Sequence, residues 1–266
     1  MSVYYNENDP QCAAWLRELI NSGELPGGDV DERSIENVAP TDLDGYEQCH
    51  FFAGIGGWPL ALQWAGWSGP VWTGSCPCQP FSAAGRHGGV DDPRHLWPAW
   101  RWLIDQCRPP TVFGEQVASK AGREWLAGVF TDLEAMAYAA AGADLCAAGV
   151  GAPQIRQRLW WVADARHARF NREGICVHAG QKQPRQDSLA HAGSCTGGGG
   201  ARSQRELTWS KADLIPCADG KARRIEPGIE PLAHGVSGRV GLLRGYGNAI
   251  VPQVAASFVT AYMETK

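Results

Sequence analysis

The stretch Val71-Trp72-Thr73-Gly74-Ser75-Cys76-Pro77-Cys78-Gln79-Pro80-Phe81-Ser82 decides how this chain is read. Val71-Trp72-Thr73 reads as the end of a buried strand. Pro77 fixes φ and removes a ladder donor, which puts Cys78 on a stiff turn at the strand's C-terminal edge. Open α/β sheets bind their ligands at that edge. Gly85, Gly88, Gly89 and Asp91-Asp92-Pro93 follow and suit a lid over a site. An isolated Pro-Cys-Gln is more often an inert buried thiol, so the rest of the chain must decide.

Upstream, Cys49-His50-Phe51-Phe52 reads as a first strand of the main sheet. It runs through Ala53-Gly54-Ile55-Gly56-Gly57-Trp58 into a helix that reaches Ala65 and stops at Gly66. A strand, glycine-rich turn and helix in that order bring backbone N–H groups to a ligand at a helix N-terminus. Such turns also serve plain close packing. Downstream, Trp97–Cys107 reads as a helix, Thr111–Glu115 as a strand and Trp125–Ala140 as an amphipathic helix. Asp144–Val150 and Leu159–Val162 read as further strands, joined through Pro153-Gln154-Ile155-Arg156-Gln157-Arg158. Periodicity fades from Ala165 to about Glu230, a stretch that includes four consecutive glycines, and returns with a closing helix over Ala249–Met263. Near the start, residues 10–21 read as a helix, followed by the acidic connector Asp29-Val30-Asp31-Glu32-Arg33.

The chain has 266 residues, of which 44% are hydrophobic, enough for the core of one large α/β domain. No run of 18 or more apolar residues and no signal peptide is visible, so a soluble, cytoplasmic protein without a membrane partner is expected. Nine cysteines lack framework spacing, and Cys76 with Cys78 forms only Cys-x-Cys, so free thiols and no metal site are expected. Net charge is −4, yet residues 154–224 carry 13 Lys/Arg against 6 Asp/Glu, leaving 11 against 22 elsewhere. This asymmetry suits a protein that meets a polyanion with one end, and equally a solvated loop region.

Five separated signals stand in order: Phe52-Ala53-Gly54-Ile55-Gly56-Gly57, Pro77-Cys78-Gln79-Pro80-Phe81-Ser82, Glu115 at a strand end, Gln154-x-Arg156-x-Arg158, and Gly247-Asn248-Ala249-Ile250-Val251-Pro252-Gln253. Together they resemble the C5-cytosine DNA methyltransferase family over roughly residues 49–163 and 240–262. The resemblance implies that Cys78 adds to carbon 6 of cytosine and that Glu115 holds or supplies a proton at N3. It implies that Arg156 and Arg158 steady the base and the acid. A carboxyl kept protonated near neutral pH needs burial. The resemblance further places Phe52, Gly54, Gly56, Gly57, Trp58 and Asn248 at S-adenosylmethionine, and Gln79, Ser82, Arg86 and Gln154 at DNA. The target cytosine would leave the duplex to reach the pocket.

The sequence departs from that pattern in one region. Between Trp58 and Cys78 lie only 19 residues and no Asp or Glu. Family members carry additional β–α units there, which supply an acid that grips the donor ribose. The acidic segment Asp29, Asp31, Glu32 could fold back to replace those contacts. Alternatively, 5,10-methylene-tetrahydrofolate could be the donor, giving 5-hydroxymethylcytosine, with Trp58, Trp64, Trp67 or Trp72 stacking the pterin if they are not core. A non-catalytic DNA-binding relative is the third reading. Gln116 also stands where the family has asparagine.

The sequence therefore predicts an α/β fold with a doubly wound, mainly parallel, Rossmann-like sheet and a small irregular basic lobe. Residues 1–48 are expected to form a helix and connector, 49–164 with 240–266 the catalytic domain, and 165–239 the target-recognition lobe. A monomer acting on a host or viral genome is expected.

Overall fold

A computed structural model describes residues 2–77, 96–165, 213–216, 222–225 and 247–266 of the chain. Cys78, Gln79, Ser82, Arg86 and most of the 165–239 lobe lie outside the described residues.

The chain builds a seven-stranded sheet from β1 (Val3–Asn6), β2 (Asp29–Asp31), β3 (Gln48–Phe51), β4 (Val71–Gly74), β5 (Thr111–Val117), β6 (Ala139–Cys146) and β7 (Gln157–Asp164), in the spatial order β2-β1-β3-β4-β5-β7-β6. Neighbours from β2 to β5 pair in parallel. β7 pairs antiparallel with both β5 and β6, so it alone in this sheet is reversed. Two further strands, β8 (Asp213–Pro216) and β9 (Ala222–Ile225), form a separate antiparallel pair.

Helices cover both faces, as the apolar pattern requires of strands with no water-facing side. One face carries α3 (Trp97–Cys107) and α4 (Lys120–Ala135) over Phe51, Trp72, Val112 and Trp161. The other carries α1 (Pro10–Asn21), α2 (Gly57–Ala65) and α5 (Pro252–Met263) over Tyr5, Phe113 and Trp160. Trp97, Trp100, Trp125 and Trp161 interlock edge to face and tilted, with centroids 5.7–6.3 Å apart. Aromatic pairs at such separations add to the area they bury.

The N-terminal residues correct one expectation. They hold more than a helix and a connector, because β1 and β2 extend the main sheet beside β3. β1 pairs Val3–Asn6 with Gln48–Phe51, and all four of its residues are buried. Four residues are too few to show a period, and β2 is an acidic three-residue edge strand. The boundaries of α4 and β6 also differ. Ser119 caps α4 by accepting from Gly122 N, so the helix starts five residues before Trp125. β6 begins at Ala139, and residues 147–150 form a 3₁₀ turn.

Candidate active site

All the elements that could carry chemistry finish at one edge of the sheet. β1, β3, β4 and β5 run in the same direction, so Glu7, Phe52, Ser75 and Glu115–Val117 all emerge there. Because β7 is reversed, its beginning lies at the same edge, which brings Arg156 and Arg158 to Glu115. A cavity of about 280 Å³ opens at this edge, lined by residues from all of these segments and by Gly247–Ala249.

At the β5 end, Glu115 is 9% exposed. Arg158 Nε lies 2.9 Å from Glu115 Oε1. Trp58 Nε1 donates to Ser75 Oγ at 3.2 Å, and the Ser75 side chain hydrogen-bonds the Glu115 carboxylate. Burial pushes the Glu115 carboxyl above its ordinary range, and Arg158, Arg156 and the Ser75 contact oppose that rise only in part. The outcome is a carboxyl biased toward its neutral form, able to hold a proton for a substrate nitrogen. Gln116, 2% exposed, donates through Nε2 to Cys76 O at 3.4 Å. It ties β5 to the turn that leads into Cys78. Cys76 and Pro77 line the cavity.

At the β3 end, Phe52 and Gly54 line the cavity, both with positive φ, 51° and 57°. A bulky residue in the left-handed region is strained, and such strain gathers at ligand sites. Glu7, just beyond β1, accepts from Gly54 N at 2.7 Å through Oε2 and from Asp9 N at 2.8 Å through Oε1. No sequence signal singled out Glu7, since its strand was not legible and it lies 47 residues from its partner.

The other expected residues are placed differently. Gly56 and Gly57 do not line the cavity. A Cβ on Gly56 would sit 2.3 Å from a Leu25 methyl, and one on Gly57 2.6 Å from Ile250 Cγ1. Both glycines serve close packing. Trp58 is 3% exposed and supports Ser75 from the core. Asn248 lines the cavity, whereas Gln154 is exposed and does not. Arg158 meets Glu115 directly, but the Arg156 guanidinium donates to Gly247 O at 2.9 Å and Ala249 O at 2.5 Å. Asp29, Asp31 and Glu32 do not reach the cavity. Tyr46 donates to Asp29 at 2.5 Å, Arg33 pairs with Asp31 at 2.7 Å, and Arg17 pairs with Glu32 at 2.6 Å. Trp58, Trp64, Trp67 and Trp72 are likewise absent from the lining. Trp58 and Trp67 pack on Phe113 and Trp72 on Phe51, while Trp64 is 42% exposed elsewhere on α2.

Among the described residues, no group of three or more His, Cys, Asp or Glu could hold a metal ion. No helix among them is long and apolar enough to cross a membrane.

The solved structures similar to this chain include the DNMT2 of Spodoptera frugiperda, 15% identical, over 61% of this chain and 49% of that one, with a TM-score of 0.39. They also include the S. pombe Dnmt2 methyltransferase, 16% identical over 62% and 50%, TM-score 0.36. A third is the Entamoeba histolytica methyltransferase EhMeth, 14% identical over 62% and 53%, TM-score 0.38. The chain thus spans about half the length of each. No curated protein matches. Residues 70–191, which include the Cys78 turn, Glu115 and both arginines, match the family described as C-5 cytosine-specific DNA methylase. On those residues the chain resembles the C-5 cytosine-specific DNA methylases.

Proposed function

We propose that this chain is a DNA cytosine-C5-modifying enzyme that makes 5-methylcytosine. The observation that carries the reading is the buried Glu115 carboxyl, paired with Arg158, on a cavity lined also by Cys76 and Pro77, the two residues before Cys78 in the sequence. In this reading the Cys78 sulfur bonds to carbon 6 of a cytosine swung out of the duplex. Electron density moves toward N3, where Glu115 holds the proton, and carbon 5 becomes nucleophilic. Once carbon 5 has taken the methyl group, loss of its proton to water expels the sulfur as thiolate, returns the N3 proton to Glu115 and restores the ring. Arg158 keeps Glu115 oriented through these changes.

The residues at the β3 end fit an adenosyl donor. Glu7 and Phe52 line that end of the cavity, Phe52 with an aromatic ring, and the space beside Gly54 is open, with nothing within 4 Å of a Cβ placed there. S-adenosylmethionine bound there would supply the methyl group to carbon 5. The acid that the short 58–78 stretch lacks would be Glu7, just beyond β1. The basic 165–239 segment would contact phosphate and read the target.

The test is to incubate DNA with each donor and digest it to nucleosides. 5-Methylcytosine formed only with S-adenosylmethionine supports the reading. 5-Hydroxymethylcytosine formed only with 5,10-methylene-tetrahydrofolate would replace it. If 5-fluorocytosine DNA forms no covalent complex with either donor, the chain is a non-catalytic DNA binder. Cys78→Ala should abolish transfer while DNA binding persists.

A further inference from the structure

The two arginines at the start of β7 are two positions apart, and the geometry gives them different work. We propose that Arg156 is a positioning residue: it latches the Gly247–Ala249 segment across the donor end of the cavity and does not hold the cytosine. This rests on the reading above only in naming that end the donor end.

The Arg156 guanidinium donates to two carbonyls 91 and 93 residues away in sequence, at 2.9 and 2.5 Å. Both bonds come from the one Nη2 nitrogen, whose two hydrogens can each meet a carbonyl, and a planar guanidinium loses little freedom in holding them. The backbone at Arg156 has φ 34°, in the left-handed region. A non-glycine residue persists there when its surroundings over-determine it. Ile155 O, one residue earlier, accepts from Ala147 N at 2.8 Å, so the segment is anchored on the side of β6 as well.

The Gly247–Ala249 segment is also pinned from its other side. Ile250 packs where a Gly57 Cβ would stand, 2.6 Å from its Cγ1, and α5 starts at Pro252. Gly247–Ala249 is therefore clamped between the start of β7 and the glycine turn after β3, and Asn248 is carried between these clamps on the cavity wall. Arg158 carries the direct contact to Glu115, whereas Arg156 reaches that carboxylate through charge alone. Removing Arg156 should free that segment and weaken donor binding. Removing Arg158 should leave the segment in place and impair the chemistry.

The experiment compares wild type, Arg156→Ala, Arg156→Lys and Arg158→Ala in the full chain. Hydrogen exchange is read at the amides of residues 248–251, and S-adenosylhomocysteine affinity by calorimetry. Covalent capture of 5-fluorocytosine DNA is timed at saturating S-adenosylmethionine. In Arg156→Ala, exchange at these amides should quicken and affinity fall, each by about tenfold or more, with capture slowed by less than about threefold. Arg156→Lys should recover part of both losses, because an ammonium can reach one carbonyl. Arg158→Ala should show the reverse: unchanged exchange at these amides and slow capture. Unchanged exchange in Arg156→Ala overturns the latch. Slow capture with intact affinity in that variant overturns the division of labour. If wild type binds no S-adenosylhomocysteine, the donor assignment fails, and the exchange measurement still decides the latch.

Discussion

Arg158 Nε stands 2.9 Å from Glu115 Oε1 at the mouth of a cavity, and the pair is made by two strands of opposite direction. Glu115 lies opposite Trp160 on β7, and Arg158, two residues earlier, projects from the same sheet face. The arrangement keeps a nearly buried carboxyl oriented without fully compensating its burial.

Glu115→Gln keeps the shape and removes the exchangeable proton. Transfer to cytosine should slow by more than about a hundredfold, the scale of a lost general acid, with DNA affinity little changed. Single-turnover kinetics checks this, and normal turnover would remove Glu115 from the chemistry.

Arg158 and Ser75 both pull the Glu115 carboxyl downward against its burial. Arg158→Ala and Ser75→Ala should therefore each raise it further. The limb of the pH–rate profile that reports Glu115 should move to higher pH, more for Arg158→Ala because its charge is the larger opposing influence. A shift toward lower pH in either variant would contradict the geometry.

Glu7 bridges the turn at Gly54 and the start of α1 at Asp9. Glu7→Gln should weaken S-adenosylhomocysteine binding by about tenfold or more, on the scale of losing a charged hydrogen-bond acceptor. Calorimetric titration reads the affinity, and circular dichroism confirms that the variant is folded. Undiminished affinity would exclude Glu7 from the donor site.

His50 is fully buried on β3, its Nδ1 2.8 Å from Thr73 Oγ1, and burial lowers its pKa to about 3 from 6.5. The unfolded chain takes up a proton at this residue below about pH 6.5 while the native protein does not. Stability attributable to neutral His50 is thus full above pH 6.5 and is lost as pH falls toward 3. The loss amounts to about 1.4 kcal/mol for each pH unit in that window. Urea unfolding from pH 7 to pH 4 should show this component in wild type and not in His50→Gln. An identical pH slope in the two proteins would refute it.

Much of this was legible in the chain itself. The strand–glycine turn–helix at 49–65 and the apolar run that stops before Pro77 carry local signals strong enough to locate a sheet edge. Val71–Thr73, Thr111–Glu115 and Leu159–Val162 are apolar runs that no surface strand would need. What local pattern could not supply was the company each residue keeps. β1 is four residues long and β2 only three, so neither shows a period; β1 takes its place beside β3 by pairing across more than 40 residues of chain, and β2 then pairs with β1. Glu7 became part of the site through that pairing alone. The same holds for the arginines: the family resemblance implied a shared role, but the fold puts Arg158 on Glu115 and Arg156 on the Gly247 and Ala249 carbonyls. Motif chemistry is written in neighbouring residues. The division of that chemistry among side chains is set by which strand ends meet, and strand pairing decides that only when the sheet closes.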